Sequence, residues 1–383
     1  MSNSGSPGAA STINIRGIST NGQNQPLILV DGTVVEDLSV INPNDIETVN
    51  VLKDATAGIY GVRGANGVIL ITTKSGRKNM PLKFEINTYG GVQETTRKLP
   101  LLNATEYALL LNEAYAANGE SLPYPNVAGL GEGTDWQDEV FQTAPIFSNA
   151  LTMRGGGEKS TYAFGSSFLT QDGIVGGRKS NFTRLTKRLS YTLDFLKNLK
   201  LSSGVTWTHT VRRTLPETGI GSVLFNAVNM APTIGQNGAA TNLGFEVVNP
   251  LKQIDNTFNR GLVDKLNGNL NLSYNFLEHF TAQASYQFNY AQVKGKTFSP
   301  IVDYGNIGTV DKVFDVTRNQ VTETKSYFRD YTFDAFIKYE NTFNEDHNLN
   351  VLLGTSVFKT AGNFNGYVGF DIPGNSLSNA SIE

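Results

Sequence analysis

From Leu82 onward apolar and polar residues alternate with period two, and the pattern returns many times. Leu82, Phe84 and Ile86 alternate with Lys83, Glu85 and Asn87. In 184–195, Leu185, Leu189, Tyr191, Leu193 and Phe195 share one parity, and Arg184, Thr186, Arg188, Ser190, Thr192 and Asp194 the other. Further runs hold Leu199 to Trp207, Leu266 to Phe276, Phe280 to Tyr290, Tyr327 to Tyr339 and Leu349 to Val357, with weaker strands at 146–154 and 159–170. That makes about nine strands, most of them reaching the ~9–11 residues that cross a bilayer at a tilt. Strands of soluble sandwiches average only ~5–6 residues. One face of each run is apolar and the other carries Asn, Thr, Gln, Lys and Asp, as in a wall between lipid and a wet lumen.

The connections add a direction. Long or medium ones at about 93–145, 171–181, 212–263 and 292–324 alternate with short ones at Gly155–Gly157, Leu196–Asn198, Leu277–Glu278 and Asn344–Asp346. Outer-membrane barrels place short turns at one rim and long loops at the other in this way. The first long connection contains one helical stretch, capped by Asn103 with Glu106 completing a capping box.

Composition narrows the function. Charged residues are only 17 % and the net charge is −3, which argues against a generally basic nucleic-acid binder. With no Cys there are no disulfides, thiolate metal sites or Cys nucleophile. His209, His279 and His347 lie far apart with no second ligand at helix or hairpin spacing. No apolar run approaches the ~18 residues of a spanning helix, which leaves a barrel open. Met1 is followed by Ser, Asn and Gly, so no signal peptide is read at this end.

Residues 1–79 differ in character. Short apolar runs, Pro26–Val30 and Gly67–Thr73, are separated by turn residues, and Asp31-Gly32 ends the first. Asn42 can cap a short helical turn begun by Pro43. This reads as a small α+β unit over 1–79, followed by a partial β-barrel over 80–383.

The segment Ile15-Arg16-Gly17-Ile18, then Pro26 to Gly32, resembles the plug domain of TonB-dependent outer-membrane transporters. Ile41-Asn42-Pro43-Asn44-Asp45-Ile46-Glu47, Val51-Leu52-Lys53-Asp54-Ala55, Ile59-Tyr60-Gly61, Arg63-Gly64-Ala65-Asn66-Gly67 and Thr72 to Gly76 narrow the resemblance to the SusC/RagA-like branch. Thr134 to Asp138 and Arg154-Gly155-Gly156 are similar to the family's first barrel segments. The resemblance implies an α+β plug inside a transmembrane antiparallel barrel, here about nine of a family-typical 22 strands. An upstream signal peptide, N-terminal extra domain and TonB-contacting box are also implied, and none of them is read before Ile13. The chain thus reads as an internal fragment cut in an outer loop after Val357. It further implies a non-enzymatic outer-membrane protein without cofactor that imports an oligosaccharide or peptide. Its partners would be a SusD-like lipoprotein, the TonB-ExbB-ExbD complex and outer-membrane lipid, with no nucleic acid. Rival readings are a TonB-linked surface receptor that senses without importing, and a soluble β-rich binding protein.

Several residues carry two readings. Arg16, Lys53 and Arg63 are either latch charges pairing with lumen carboxylates or ordinary solvated charges. Gly61, Gly64 and Gly67 lack the Lys-Ser/Thr of a phosphate loop and read as turns. Asp135, Asp138 and Glu139 read as a solvated loop rather than a glycosidase pair. Tyr115, Tyr124, Trp136, Tyr304 and Phe314 lie in or beside long loops, where they either stack on a sugar or pack the loop core.

Overall fold

The computed structural model describes residues 5–376 except 10–12, 16, 18–23, 36–37, 39–40, 54–63, 217–218, 239–246, 303–315 and 345–346. Arg16, Asp54, Tyr60, Gly61, Arg63, Tyr304 and Phe314 lie outside the described residues.

Two sheets organise the described residues. The larger has nine antiparallel strands in sequence order: β5 (Lys83–Gln93), β6 (Ala144–Gly156), β7 (Ser160–Gly173), β8 (Gly177–Leu196), β9 (Leu199–Arg213), β10 (Phe258–Phe276), β11 (Phe280–Ser299), β12 (Gln320–Phe343) and β13 (His347–Phe370). They run from 11 to 24 residues, so each is long enough to cross a bilayer.

Two sequence expectations need correction. The connection placed at 171–181 is a tight turn of residues 174–176, with Gln171 paired to Phe182 and Asp172 to Asn181. Nor does a loop begin after Val357, because β13 continues to Phe370, which pairs with Gln320. The cause is the same in both places. Apolar alternation stops where a strand leaves the hydrocarbon layer, but the backbone ladder continues into water. Polar side chains then pair across it, as where Asn181 donates to Asp172 at 2.7 Å. β11 and β12 likewise extend beyond their apolar runs through Lys294–Ser299 and Gln320–Lys325.

The small sheet has strand order β2-β1-β4-β3, from β1 (Leu27–Val30), β2 (Thr33–Val35), β3 (Ile46–Leu52) and β4 (Val68–Thr73). Asp31 and Gly32, at φ 49° and 83°, form the two-residue reversal between β1 and β2. β1 and β4 pair in parallel and are buried on both faces, which is why they read as unbroken apolar runs. Ile28, Val30, Ile69 and Ile71 fill one side, with Leu29 and Val68 on the other.

The long connections after β5 and β9 pack together. The first carries α1 (Ala104–Ala117), closed by the Asn103–Glu106 capping box, and α2 (Trp136–Val140). The second carries α3 (Val223–Asn229) and α4 (Pro250–Asp255). Trp136, Val140, Val223, Ala227 and Met230 form their shared core.

Candidate functional site

The register decides which side chains meet the small sheet. In β8, Thr186 and Arg188 point inward and are buried, whereas Leu189, on the opposite parity, is 54 % exposed. Lys187 shares the outward parity, and its ammonium lies 5.7 Å from the Trp207 ring centroid.

Arg188 is the centre of the junction. It is 4 % exposed, and its guanidinium donates to Thr73 Oγ1 at 2.8 Å and to the Lys74 carbonyl at 2.9 Å. Thr73 is held in place by Asp31, whose carboxylate accepts from the Thr73 amide at 2.9 Å and from its hydroxyl at 2.5 Å. On the other side Arg188 Nη2 lies 3.9 Å from Asp45 Oδ1.

Asp45 ends the 3₁₀ turn Pro43–Asp45, which Asn42 caps by accepting from the Asn44 amide at 3.1 Å. The carboxylate is 3 % exposed and accepts from Thr152 of β6 at 3.1 Å. A Cβ at Gly165 of β7 would stand 2.9 Å from the same carboxylate, so a larger residue there would have to push the Asp45 side chain aside. Burial raises the Asp45 pKa above 3.8, outweighing the opposing pull of Arg188, Thr152 and Lys74. The long ion-pair distance explains that order, since two of the guanidinium's shorter bonds go to Thr73 and the Lys74 carbonyl.

Polar contacts spread outward from this centre. Lys74 pairs with Glu85 of β5 at 2.7 Å, while Asn269 of β10 donates to the Asp31 carbonyl and Asn289 of β11 to that of Val34, both at 3.1 Å. Asn42 Nδ2, Thr186 Oγ1 and Arg188 Nε are buried without a hydrogen-bond partner, and these three residues line one small cavity. The junction is therefore polar, extensive and incompletely satisfied.

The strap from the small sheet to β5 crosses the turn after β6. The Asn79 amide donates to the Gly157 carbonyl at 3.0 Å, the Gly156 amide to the Met80 carbonyl at 2.9 Å, and Lys78 pairs with Asp194. A Cβ at Gly156 would stand 2.4 Å from the Arg77 carbonyl, which accounts for glycine there.

Other residues singled out in the sequence fall as follows. Asp31, Gly32, Asn42, Pro43 and Asp45 lie at or beside the junction. Gly17, Gly64, Asn66 and Gly67 lie elsewhere in the small unit, where Asn66 donates to the Gln25 carbonyl at 3.5 Å, and exposed Lys53 follows β3. Trp136 is 2 % exposed, its indole donating to the Ala231 carbonyl at 3.1 Å, so its face is not open to a ligand. Tyr124 bonds Thr233 at 2.9 Å, and Tyr115 is half-buried on α1. Asp135 caps α2 and Asp138 pairs with Lys98. Among the described residues no group of three His, Asp or Glu side chains is placed to hold a metal.

Sequence reasoning sought the latch among the small unit's cations. Arg16 and Arg63 lie outside the described residues; among the described residues the buried cation at the junction is Arg188 from the wall, and the carboxylates beside it come from the small sheet. The one signal for Arg188 was its place on the polar parity of β8, shared with Thr and Ser.

A small sheet fastened by polar contacts to one face of a long-stranded wall is how a plugged outer-membrane barrel is built. Residues 1–68 match the TonB-dependent Receptor Plug Domain family. TonB-dependent receptor P3 of Formosa agariphila is 31 % identical over 370 residues, covering 93 % of this chain and 35 % of that protein. TonB-dependent receptor SusC of Bacteroides thetaiotaomicron is 36 % identical over 210 residues, covering 52 % of this chain and 20 % of SusC. The fold matches the RagAB peptide transporter at a TM-score of 0.82 and 21 % identity, over 97 % of this chain and 45 % of that one. The chain is a TonB-dependent receptor of the SusC/RagA-like kind, plug domain plus a portion of the barrel. These are outer-membrane proteins, and the family is non-enzymatic. The chain spans about a third of the length of the full-span curated relatives it matches, at 35 %, 34 % and 36 %.

Proposed function

We propose that this protein takes part in TonB-dependent import of a nutrient, an oligosaccharide or a peptide, across the outer membrane together with a SusD-like surface lipoprotein. The Arg188 junction carries the reading. A plug that must be displaced and return needs fastening that is specific in register yet releasable, and a partly satisfied polar junction meets both needs better than an apolar core. The RagAB relative is described as a peptide importer, which supports the peptide arm, and the likeness to SusC supports the branch. In this reading the TonB-ExbB-ExbD complex supplies the force, and the plug ends near residue 79, between β4 and β5.

The test is uptake in cells carrying the receptor in its natural length with its neighbouring lipoprotein. Accumulation of labelled oligosaccharide or peptide should require the receptor and should stop when TonB is deleted. Accumulation that persists without TonB would overturn the proposal, and so would ligand binding at the surface with no accumulation, which would favour a sensing receptor.

A further inference from the structure

The outward face of β11–β13 changes character along its length. Toward the short-turn end lies a groove of about 520 Å³, floored by Ala282, Ala284 and Ala335 and walled by Leu272, Ile337 and Leu353. Small residues among large ones leave a recess there, on the face that a barrel turns to lipid.

Farther along the same strands, toward the long-connection end, four outward cations gather. Lys294 and Lys325 stand directly opposite each other across β11 and β12. Arg329 faces Tyr290 across the β11–β12 pair, and Lys359 faces Tyr331 across the β12–β13 pair. All four cations are exposed, and among the described residues none of them has a carboxylate at ion-pair distance. Like charges directly opposed on a sheet are destabilising. One outward position farther along, the same two strands pair Lys296 with Glu323 at 2.9 Å, so the sheet accommodates a neutral pair nearby. The tyrosines between the cations mark the level of a membrane interface.

The spacing joins the two features. Ala335 and Arg329 are six residues apart on β12, roughly 20 Å along the strand. At a tilt near ~40° that is about 15 Å of depth, close to half of a ~30 Å hydrocarbon core. We propose that this face binds a phosphate-bearing lipid of the outer leaflet, its phosphates between Lys294, Lys325, Arg329 and Lys359 and an acyl chain in the alanine-floored groove. Opposed cations call for an anion, and the recess one leaflet deeper calls for a hydrocarbon chain. The inference rests on the barrel reading, which makes this face the lipid-facing one.

The experiment uses the receptor in its natural length, extracted from outer membranes and placed in nanodiscs of phosphatidylcholine with or without lipid A. Native mass spectrometry should find lipid A retained through delipidation and phosphatidylcholine lost. The variant K294Q/K325Q/R329Q/K359Q should retain lipid A about tenfold less or worse. The variant A284W/A335W, which fills the groove but keeps the cations, should also lose retention. Replacing Lys197 and Lys200 at the short-turn end, K197Q/K200Q, should change nothing. Heat-modifiable migration of each variant reports that the barrel has formed. Equal retention by wild type and the four-cation variant would overturn the inference while leaving the barrel reading intact. A groove variant that turns a dimer into a monomer with lipid retention unchanged would also overturn it, assigning the face to a second copy. A receptor absent from the outer-membrane fraction would instead remove the barrel reading beneath it.

Discussion

The two sheets solve one problem with opposite means. β1–β4 are strands of three to seven residues whose central pair is buried on both faces, so the plug is held by its own apolar core. The wall strands run to 24 residues, with one face turned to lipid and the other to the plug. The plug makes its hydrophobic solvent out of itself, and the wall borrows one from the membrane. What joins them is neither, and the junction is built from Arg188, Asp45, Thr73 and Asn269.

The largest expected effect comes from breaking the junction. Arg188→Met leaves Asp45 uncompensated and the Lys74 carbonyl without its donor, and should weaken plug seating by about 3–5 kcal/mol, read as earlier protease sensitivity of the plug in a urea titration. Adding Asp45→Asn should recover much of that loss, and a double variant as weak as the single would show that the pair is not coupled. Next, Leu193→Arg on the outward face of β8 should impair membrane assembly, by ~2–4 kcal/mol if the site lies near the bilayer midplane and by less toward an interface, whereas Thr192→Arg on the inward face should be tolerated. Equal yields of heat-modifiable protein from both would erase the distinction between the faces.

A third pair of changes sharpens the contrast between self-made and borrowed cores. Val68→Ala, inside the plug, should cost about 2 kcal/mol of plug stability through an unfilled cavity. Ile86→Ala, 73 % exposed on the wall's outer face, should cost less than ~1 kcal/mol because acyl chains fill the space. The smallest effect is on pH dependence. With the Asp45 pKa raised, the folded plug holds a proton that the unfolded chain has released just above pH 3.8. Seating should therefore be firmest in acid and loosen as pH rises through the Asp45 value. Asp45→Asn should flatten that slope, and an unchanged slope would assign it to another group.

Much of this was legible in the residue order. Parity placed Leu189 outside and Thr186 inside, the Asn103–Glu106 box located α1, and Asp31-Gly32 announced its reversal. What escaped was whatever depends on distant partners or on a change of solvent. Arg188 looked like any other polar residue of a wet face, because nothing in β8 reveals that Asp45 and Thr73 will lie against it. Trp136 looked like a loop aromatic, because its burial depends on α3, contributed by a different connection. The ends of β11, β12 and β13 were hidden because hydrophobic alternation records the membrane, whereas strand length records hydrogen bonding.

The strap across the turn after β6 has a mechanical consequence. Its backbone bonds to Gly156 and Gly157, with Lys78 on Asp194, fasten the plug's trailing end to the first two short turns of the wall. A load applied to the leading end would reach the Arg188 clasp before it reached this anchor. The plug would then swing as a door on a fixed post rather than leave as a cork, and the anchored edge would guide it back to the same seat after each cycle.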